Sequence, residues 1–227
     1  MTSPHWPLTG LRLRTPRLEL RWPSLEDLDE LVGLAAAGVH DPQVQPFSAA
    51  WTDVAAAELP ASSLRFFWSQ WASWDPDNWE LSFVTVHQGD IVGVQALKAA
   101  DFAVLREVHT GSWLGRRYQG SGIGTEMRAA VLSLAFDDLH AEYARSTAHN
   151  DNAASLGVSR KLGYVDDGVD HLVVRGHAVN ARRLLLDRAT WQARRPLRVR
   201  VSGLERCLPW FGLDPAPVAA AEAPAAR

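Results

Sequence analysis

The 227-residue chain contains one cysteine, Cys207, which excludes an internal disulfide and a zinc site built on several cysteines. It has no apolar run near the roughly 20 residues of a membrane span. Its first residues show no basic segment followed by an apolar one. The net charge of −3 gives no overall attraction to nucleic acid. These absences favour a soluble, cytoplasmic protein.

The periodicity of apolar residues predicts a mixed α/β (α+β) domain with a largely antiparallel sheet. Ser24 is predicted to cap the first helix, with Asp27 three residues later. Strands are predicted at 11–21 (interrupted by Thr15 and Pro16), 79–86, 91–100, 107–114, 143–148, 165–175 and 179–186. Helices are predicted at 62–74, from the glycine loop to about 138, at 152–162 and at 187–195. We expect one domain over residues 1–195 and a C-terminal extension over 196–227, whose last Pro- and Ala-rich part is expected to be disordered.

The segment Gln119 to Glu126 carries three glycines between a predicted strand and a predicted helix. Such a loop exposes backbone N–H groups at a helix N-terminus and is typical of phosphate binding. No lysine precedes Thr125, which excludes a Walker loop, and the glycine spacing does not fit a dinucleotide-binding fingerprint. The loop alone therefore leaves two alternatives open: binding of a phosphorylated ligand of another kind, or a glycine-rich turn with a structural task only.

Two motifs together resemble the GNAT superfamily of acyl-CoA N-acyltransferases. The first is Gln119-x-x-Gly122-x-Gly124, preceded by two arginines and a tyrosine. The second is the run from Asn152 to Tyr164, which resembles the family's Asn-x-x-Ser…Lys-Leu-Gly-Phe/Tyr helix. Residues 13–21 also resemble the opening strand of the Rim-type branch, which acetylates ribosomal-protein N-termini. The resemblance covers roughly residues 10–192.

The resemblance implies a twisted sheet of about seven strands, splayed between the fourth strand (107–114) and the fifth (143–148). Acetyl-CoA, or another acyl-CoA, would lie in that gap, and no metal is implied. Ser155 would donate a proton to the leaving thiolate. The CoA-binding residues would be Trp113, Leu114, Arg117, Gln119, Gly120, Ser121, Gly122, Ile123, Gly124, Thr125 and Asn152. The residues alone leave two alternatives open: Asn152 as a plain helix cap, and Ser155 as a helix-surface serine.

The general base is less well defined. His109 occupies the position where the Rim-type branch often carries a glutamate, and Glu107 lies on the same face of the strand. We take both as candidate bases, against the alternative that His109 is a half-buried strand histidine with no chemical task. Trp71 and Trp74 are candidate walls of the acceptor site, against the alternative that they pack in the core.

The sequence predicts an enzyme that transfers an acyl group, most simply acetyl, to a primary amine of a protein N-terminus or a small molecule. Two alternatives are an acyl-CoA sensor without catalysis and a transferase of a larger group such as succinyl. The arginines between 182 and 206 could accommodate a succinyl carboxylate, against the alternative that they form a solvated surface. Pairing of two copies is expected through the final strands. Binding of nucleic acid by the arginine-rich segment is the weakest interpretation.

Overall fold

A computed structural model describes residues 3–214 of the chain. Its centre is one nine-stranded sheet with the spatial order β7-β8-β6-β5-β4-β3-β2-β1-β9. The strands are β1 Arg12–Arg14, β2 Leu18–Arg21, β3 Asn78–His87, β4 Asp90–Ala100, β5 Glu107–Leu114, β6 Tyr143–His149, β7 Val165–Val174, β8 His177–Asp187 and β9 Arg200–Ser202. The helices are α1 Leu25–Ala36, α2 Leu59–Ala72, α3 Phe102–Leu105, α4 Ile123–Ser133, α5 Ala153–Leu162 and α6 Arg188–Arg194.

The mixed, mostly antiparallel sheet is confirmed, but the expected count of about seven strands is too low. Residues 11–21 form a hairpin, β1 and β2, because the chain reverses at Thr15 and Pro16 and Arg12 pairs with Arg21. β9, which lies in the predicted C-terminal extension, pairs with β1. Phe211 of the same extension is fully buried in the main core. The expected disorder of the last residues lies outside the described part of the chain.

β5 and β6 pair in parallel over only three residues. Their last pair joins His109 to Arg145, and beyond it the strands diverge, while β5 remains paired with β4 through Leu114. The predicted splay is therefore confirmed, although it separates the fifth and sixth strands of the observed sheet. One edge of each diverging strand is left open to a ligand.

The helices cover the two faces of the sheet. α1 begins at the predicted capping box, in which Ser24 and Asp27 bond each other's backbone N–H groups. It packs with α2 against β4 and β3 through a small core that includes Leu28, Phe67 and Val84. α4 lies on the opposite face, where nearly all of its side chains are buried. This helix and α5 form the floor of the gap between β5 and β6.

Candidate active site

A cavity of about 900 Å³ occupies the gap between the diverging strands. Its walls come from β5, from β6, from the glycine loop and from the start of α5. Nine residues expected at the site line it: Trp113, Leu114, Gln119, Gly120, Gly122, Gly124, Thr125, Asn152 and Ser155. The structure thus brings together two sequence motifs that are about 30 residues apart.

The glycine loop brings the backbone against the cavity at the N-terminus of α4. Gly120 has φ 76° and Gly122 has φ 82°, a region that favours glycine. Gly122 accepts the first helical bonds, from the N–H groups of Thr125 and Glu126. The N–H groups of Ile123 and Gly124, which come just before, have no acceptor within the helix and are available to an anion.

An ion pair fixes this helix start. Glu126, 8% exposed, accepts hydrogen bonds from the Arg17 guanidinium at 2.6 Å and from the Thr15 hydroxyl at 2.6 Å. Arg17 also donates to the carbonyl of Ser121. Burial raises the pKa of Glu126, but the bonds from Thr15 and Arg17 outweigh that effect and hold the pKa below its usual value. The hairpin of β1 and β2 therefore anchors the loop.

Four of the predicted CoA contacts have structural tasks here. The Gln119 side chain donates to the carbonyls of Val39 and Leu114, so it holds the loop in place while lining the cavity. Three others do not line the cavity: the Arg117 guanidinium lies over the Tyr118 ring, the Ser121 hydroxyl donates to the Tyr118 carbonyl, and Ile123 is buried in the core. Arg116, not Arg117, lines the cavity.

Both proposed residues of α5 face the cavity. The Asn152 side-chain oxygen accepts the N–H of Ser155 at 3.0 Å, which is a helix cap. Because the cap uses the oxygen, the amide nitrogen of Asn152 is the atom with which it can donate to a ligand. Ser155 lies in the first turn of α5 and also lines the cavity.

His109 and Glu107 lie outside the cavity, on the part of β5 that is still paired with β6. Glu107 accepts a hydrogen bond from Arg145 at 2.7 Å, and its second oxygen lies 3.5 Å from Nε2 of His109. Burial lowers the pKa of His109, with Glu107 acting in the opposite direction. The structure therefore places both candidate bases in an ion-pair network that also includes Asp167.

A second cavity, of about 490 Å³, lies on the α1 and α2 face of the sheet. It meets the first at β5, because Gly111, Ser112 and Trp113 line both. Its walls are mainly apolar and aromatic, and they include Phe47, Trp51, Val54, Phe66 and Phe67; Glu80 also lines it. This arrangement suits a ligand that approaches β5 from the face opposite the first cavity.

Trp71 and Trp74 line neither cavity; they are half-buried and pack against the core instead. Trp71 lies 5.2 Å from the ring of Trp22, and Trp74 stacks on Trp79 at 6.1 Å. The Trp74 indole N–H donates to the Trp210 carbonyl at 2.9 Å. The predicted helix to residue 74 is too long, because α2 ends at Ala72, so Trp74 lies beyond the helix and faces the C-terminal segment.

Arg128 is a site residue that the sequence analysis missed. It lines the first cavity, is only 4% exposed and donates to the hydroxyls of Ser159 at 2.8 Å and Ser112 at 3.3 Å. Its Nε is buried without a hydrogen-bond partner. An arginine inside the apolar run from Met127 to Leu132 was the available signal, since a charge on a buried helix requires a partner.

His149, also missed, ends β6 at the cavity wall and is 2% exposed. Its Nδ1–H donates to the carbonyl of Gln45 at 3.1 Å.

The arginines between 182 and 206 lie at the surface. Arg182, Arg183, Arg188 and Arg195 form ion pairs with Asp166, Asp170, Glu142 and Asp137. None of these four lines the cavity. A carboxylate on the acyl group would have to meet another cation.

Over residues 3–214 the structure contains no group of three or more His, Cys, Asp and Glu side chains placed to hold a metal ion. In the same range, no helix is long and apolar enough to cross a membrane.

Residues 17–165 match the model of the acetyltransferase (GNAT) domain. The chain belongs to this family. The resemblance in the sequence implied that acyl-CoA lies in a gap between two strands, beside a glycine loop at a helix N-terminus. The structure has such a gap and such a loop. The chain is accordingly an acyl-CoA-dependent N-acyltransferase, as predicted.

Solved structures share the fold at low sequence identity. Mycobacterium smegmatis RimJ in complex with CoA-disulfide has 19% identity and a TM-score of 0.68, over 89% of this chain and 95% of that one. RimL, a ribosomal L7/L12 α-N-protein acetyltransferase in complex with coenzyme A, has 17% identity and a TM-score of 0.59, over 76% and 95%. A GCN5-related N-acetyltransferase from Brucella melitensis has 20% identity and a TM-score of 0.65, over 81% of both chains. The first two agree with the Rim-type resemblance seen in the sequence.

Proposed function

We propose that the chain joins an acyl-CoA in the first cavity to a primary amine in the second, by direct attack across β5. The observation that carries this proposal is the meeting of the two cavities at Gly111, Ser112 and Trp113. A thioester on one face and an amine on the other would then be in contact without a covalent enzyme intermediate.

The donor half follows from charge and hydrogen bonding. The pyrophosphate would bind the N–H groups at the start of α4, with Arg116 and Lys161 as further cations of the cavity wall. The pantetheine arm would pair with the free edge of β5 near Trp113 and Leu114, and Asn152 would donate to it. These assignments use only groups that already face the cavity.

In the reaction, the neutral amine nitrogen forms a bond to the thioester carbonyl carbon, and the carbon–sulfur bond breaks. The amine loses a proton, and the departing thiolate takes one, for which Ser155 is the proposed donor. An α-amine has a pKa near 8 and a lysine amine near 10.4, so an α-amine is more easily available in neutral form. A proton relay to Glu107 and His109 would have to run through water, because neither side chain lines a cavity.

The acceptor half indicates an amine with an apolar or aromatic neighbour. The second cavity offers aromatic walls to that group, and Glu80 offers a carboxylate to a cation. A protein N-terminus with an apolar second residue fits this chemistry, as does a small aromatic amine. The predicted pairing of two copies and the cytoplasmic location remain predictions from the sequence.

The test is release of free CoA thiol from acetyl-CoA and other acyl-CoAs with a panel of peptides and small amines. The expected result is release that depends on the amine, fastest for amines with an apolar neighbour, together with an acylated amine of the correct mass. A rise in thermal stability with acyl-CoA but no thiol release with any amine would instead identify a sensor. Ser155→Ala tests the proposed proton donor to the departing thiolate. Ser69→Ala, on the exposed side of α2, is its control.

A further inference from the structure

Arg128 is a buried cation without an anion. Its guanidinium is held by two serine hydroxyls, Ser112 and Ser159, and its Nε has no partner. Within residues 3–214, no carboxylate forms an ion pair with it. Burying an unpaired charge costs several kcal/mol of desolvation free energy. An anion that binds next to the charge can recover much of this free energy. A positive charge kept at such a cost on a cavity wall indicates an anionic ligand group.

The surroundings of Arg128 are polar as well. Thr110, Ser112 and Ser146 line this end of the cavity, where β5 and β6 begin to diverge. The Thr110 hydroxyl lies 3.2 Å from the hydroxyl of Tyr164, which is itself buried. An acetyl methyl group gains from apolar walls, whereas hydroxyls beside a guanidinium match a carboxylate.

The proposed pyrophosphate site is separated from Arg128 along the helix. Arg128 lies five residues after Ile123, or about 7.5 Å along the helix axis from the N–H groups proposed for the pyrophosphate. The remaining anionic centre of a thioester ligand in this end of the cavity would be on the acyl group itself, or on the sulfur after it leaves. These two possibilities predict different donor preferences.

We propose that Arg128 binds a terminal carboxylate of the acyl group, so that the preferred donor is the CoA thioester of a short dicarboxylic acid such as succinate. The part of this inference that concerns turnover rests on the proposed function. The part that concerns binding does not, because calorimetry without an acceptor tests it alone. In the transfer, the amine nitrogen bonds to the thioester carbon, the carbon–sulfur bond breaks, and the distal carboxylate passes unchanged into the product amide.

The test compares succinyl-CoA with butyryl-CoA, which has the same chain length but ends in a methyl group, and with acetyl-CoA. Calorimetry measures binding without an acceptor, and thiol release measures kcat/KM. We expect the wild type to favour succinyl-CoA over butyryl-CoA by at least about 30-fold, the smaller effect seen when a buried charge pair is broken. Arg128→Met should lower the ratio of succinyl-CoA to butyryl-CoA to near one, both in affinity and in kcat/KM, and this ratio does not depend on any general effect of the substitution on the cavity.

Arg128→Met should fold, because replacing a buried charge by an apolar side chain of similar length is often neutral or stabilising. Its melting temperature and its affinity for CoA without an acyl group are measured to confirm this. Arg160→Met is the matched control: it makes the same exchange on the neighbouring α5, at an exposed side chain outside the cavity, and should retain the succinyl preference.

The outcomes separate the proposals. Equal binding of succinyl-CoA and butyryl-CoA by the wild type overturns the carboxylate site, even if acetyl transfer is fast. An equal loss of turnover with every donor in Arg128→Met overturns it too and assigns the guanidinium to the departing thiolate. A succinyl preference in binding without any thiol release supports the carboxylate site and refutes the catalytic proposal.

Discussion

Replacing Gly124 by alanine should separate the stability of the fold from its affinity for CoA. An added Cβ would lie 3.6 Å from a Leu114 methyl group and 3.7 Å from a Val158 methyl group, which are ordinary contact distances. Alanine also reduces the entropy of the unfolded chain, so the free energy of unfolding should stay the same or rise by about 0.4–1 kcal/mol. The same methyl group would enter the cavity at the helix start.

There it would keep a phosphate from the N–H groups. Loss of one charge-assisted hydrogen bond, worth about 1.5–3 kcal/mol, raises the dissociation constant of CoA by about 10- to 150-fold. Urea unfolding of the ligand-free protein and calorimetry with CoA measure the two effects. Gly33→Ala is the control, because Gly33 lies in α1 with nothing within 4 Å of the added atom and outside the cavity. A CoA affinity within twofold of wild type for Gly124→Ala would refute the placement of the pyrophosphate.

Three further substitutions test other parts of the structure. Trp74→Ala should lower the free energy of unfolding by about 3–5 kcal/mol, because it opens a cavity in the aromatic core; a stable variant with altered amine preference would return this residue to the acceptor site. Glu126→Gln should destabilise the fold at neutral pH, and since the folded pKa of Glu126 is depressed, the difference from wild type should be full above about pH 4.3 and shrink as the pH falls; a difference in unfolding free energy that is constant down to pH 3 would contradict this. His109→Gln should lower kcat by less than about threefold, well below the 100-fold typical of a lost general base; a larger loss that also removes the acid limb of the pH–rate profile would identify a relay through this histidine.

The donor half of the site could be predicted because its parts are local in the chain. Gly120, Gly122 and Gly124 lie within five residues, and their backbone conformation depends on little beyond the absence of a side chain. Asn152 and Ser155 are likewise fixed by one helix start. A short run of sequence therefore carried enough information to predict that these residues line one cavity.

The acceptor half could not be predicted in the same way. Phe47 and Trp51 reach the second cavity from the segment between α1 and α2, and Phe66 and Phe67 reach it from α2. Their meeting depends on how these elements pack on the sheet. Trp71 lies in the same helix as Phe66 and Phe67 but packs on Trp22, and Trp74 lies beyond the end of that helix and donates to the carbonyl of Trp210 in the C-terminal segment.

Arg128 shows how a single buried charge can be missed in a sequence. The arginines between 182 and 206 attract attention because they are clustered in sequence, but a cluster on the surface finds acidic neighbours, and such exposed pairs contribute little. A lone arginine in an apolar helix attracts no attention, yet its environment has a low dielectric constant, in which an unpaired charge interacts most strongly with a ligand. The residue best placed to select an acyl group is therefore the one whose burial is hardest to explain without that ligand.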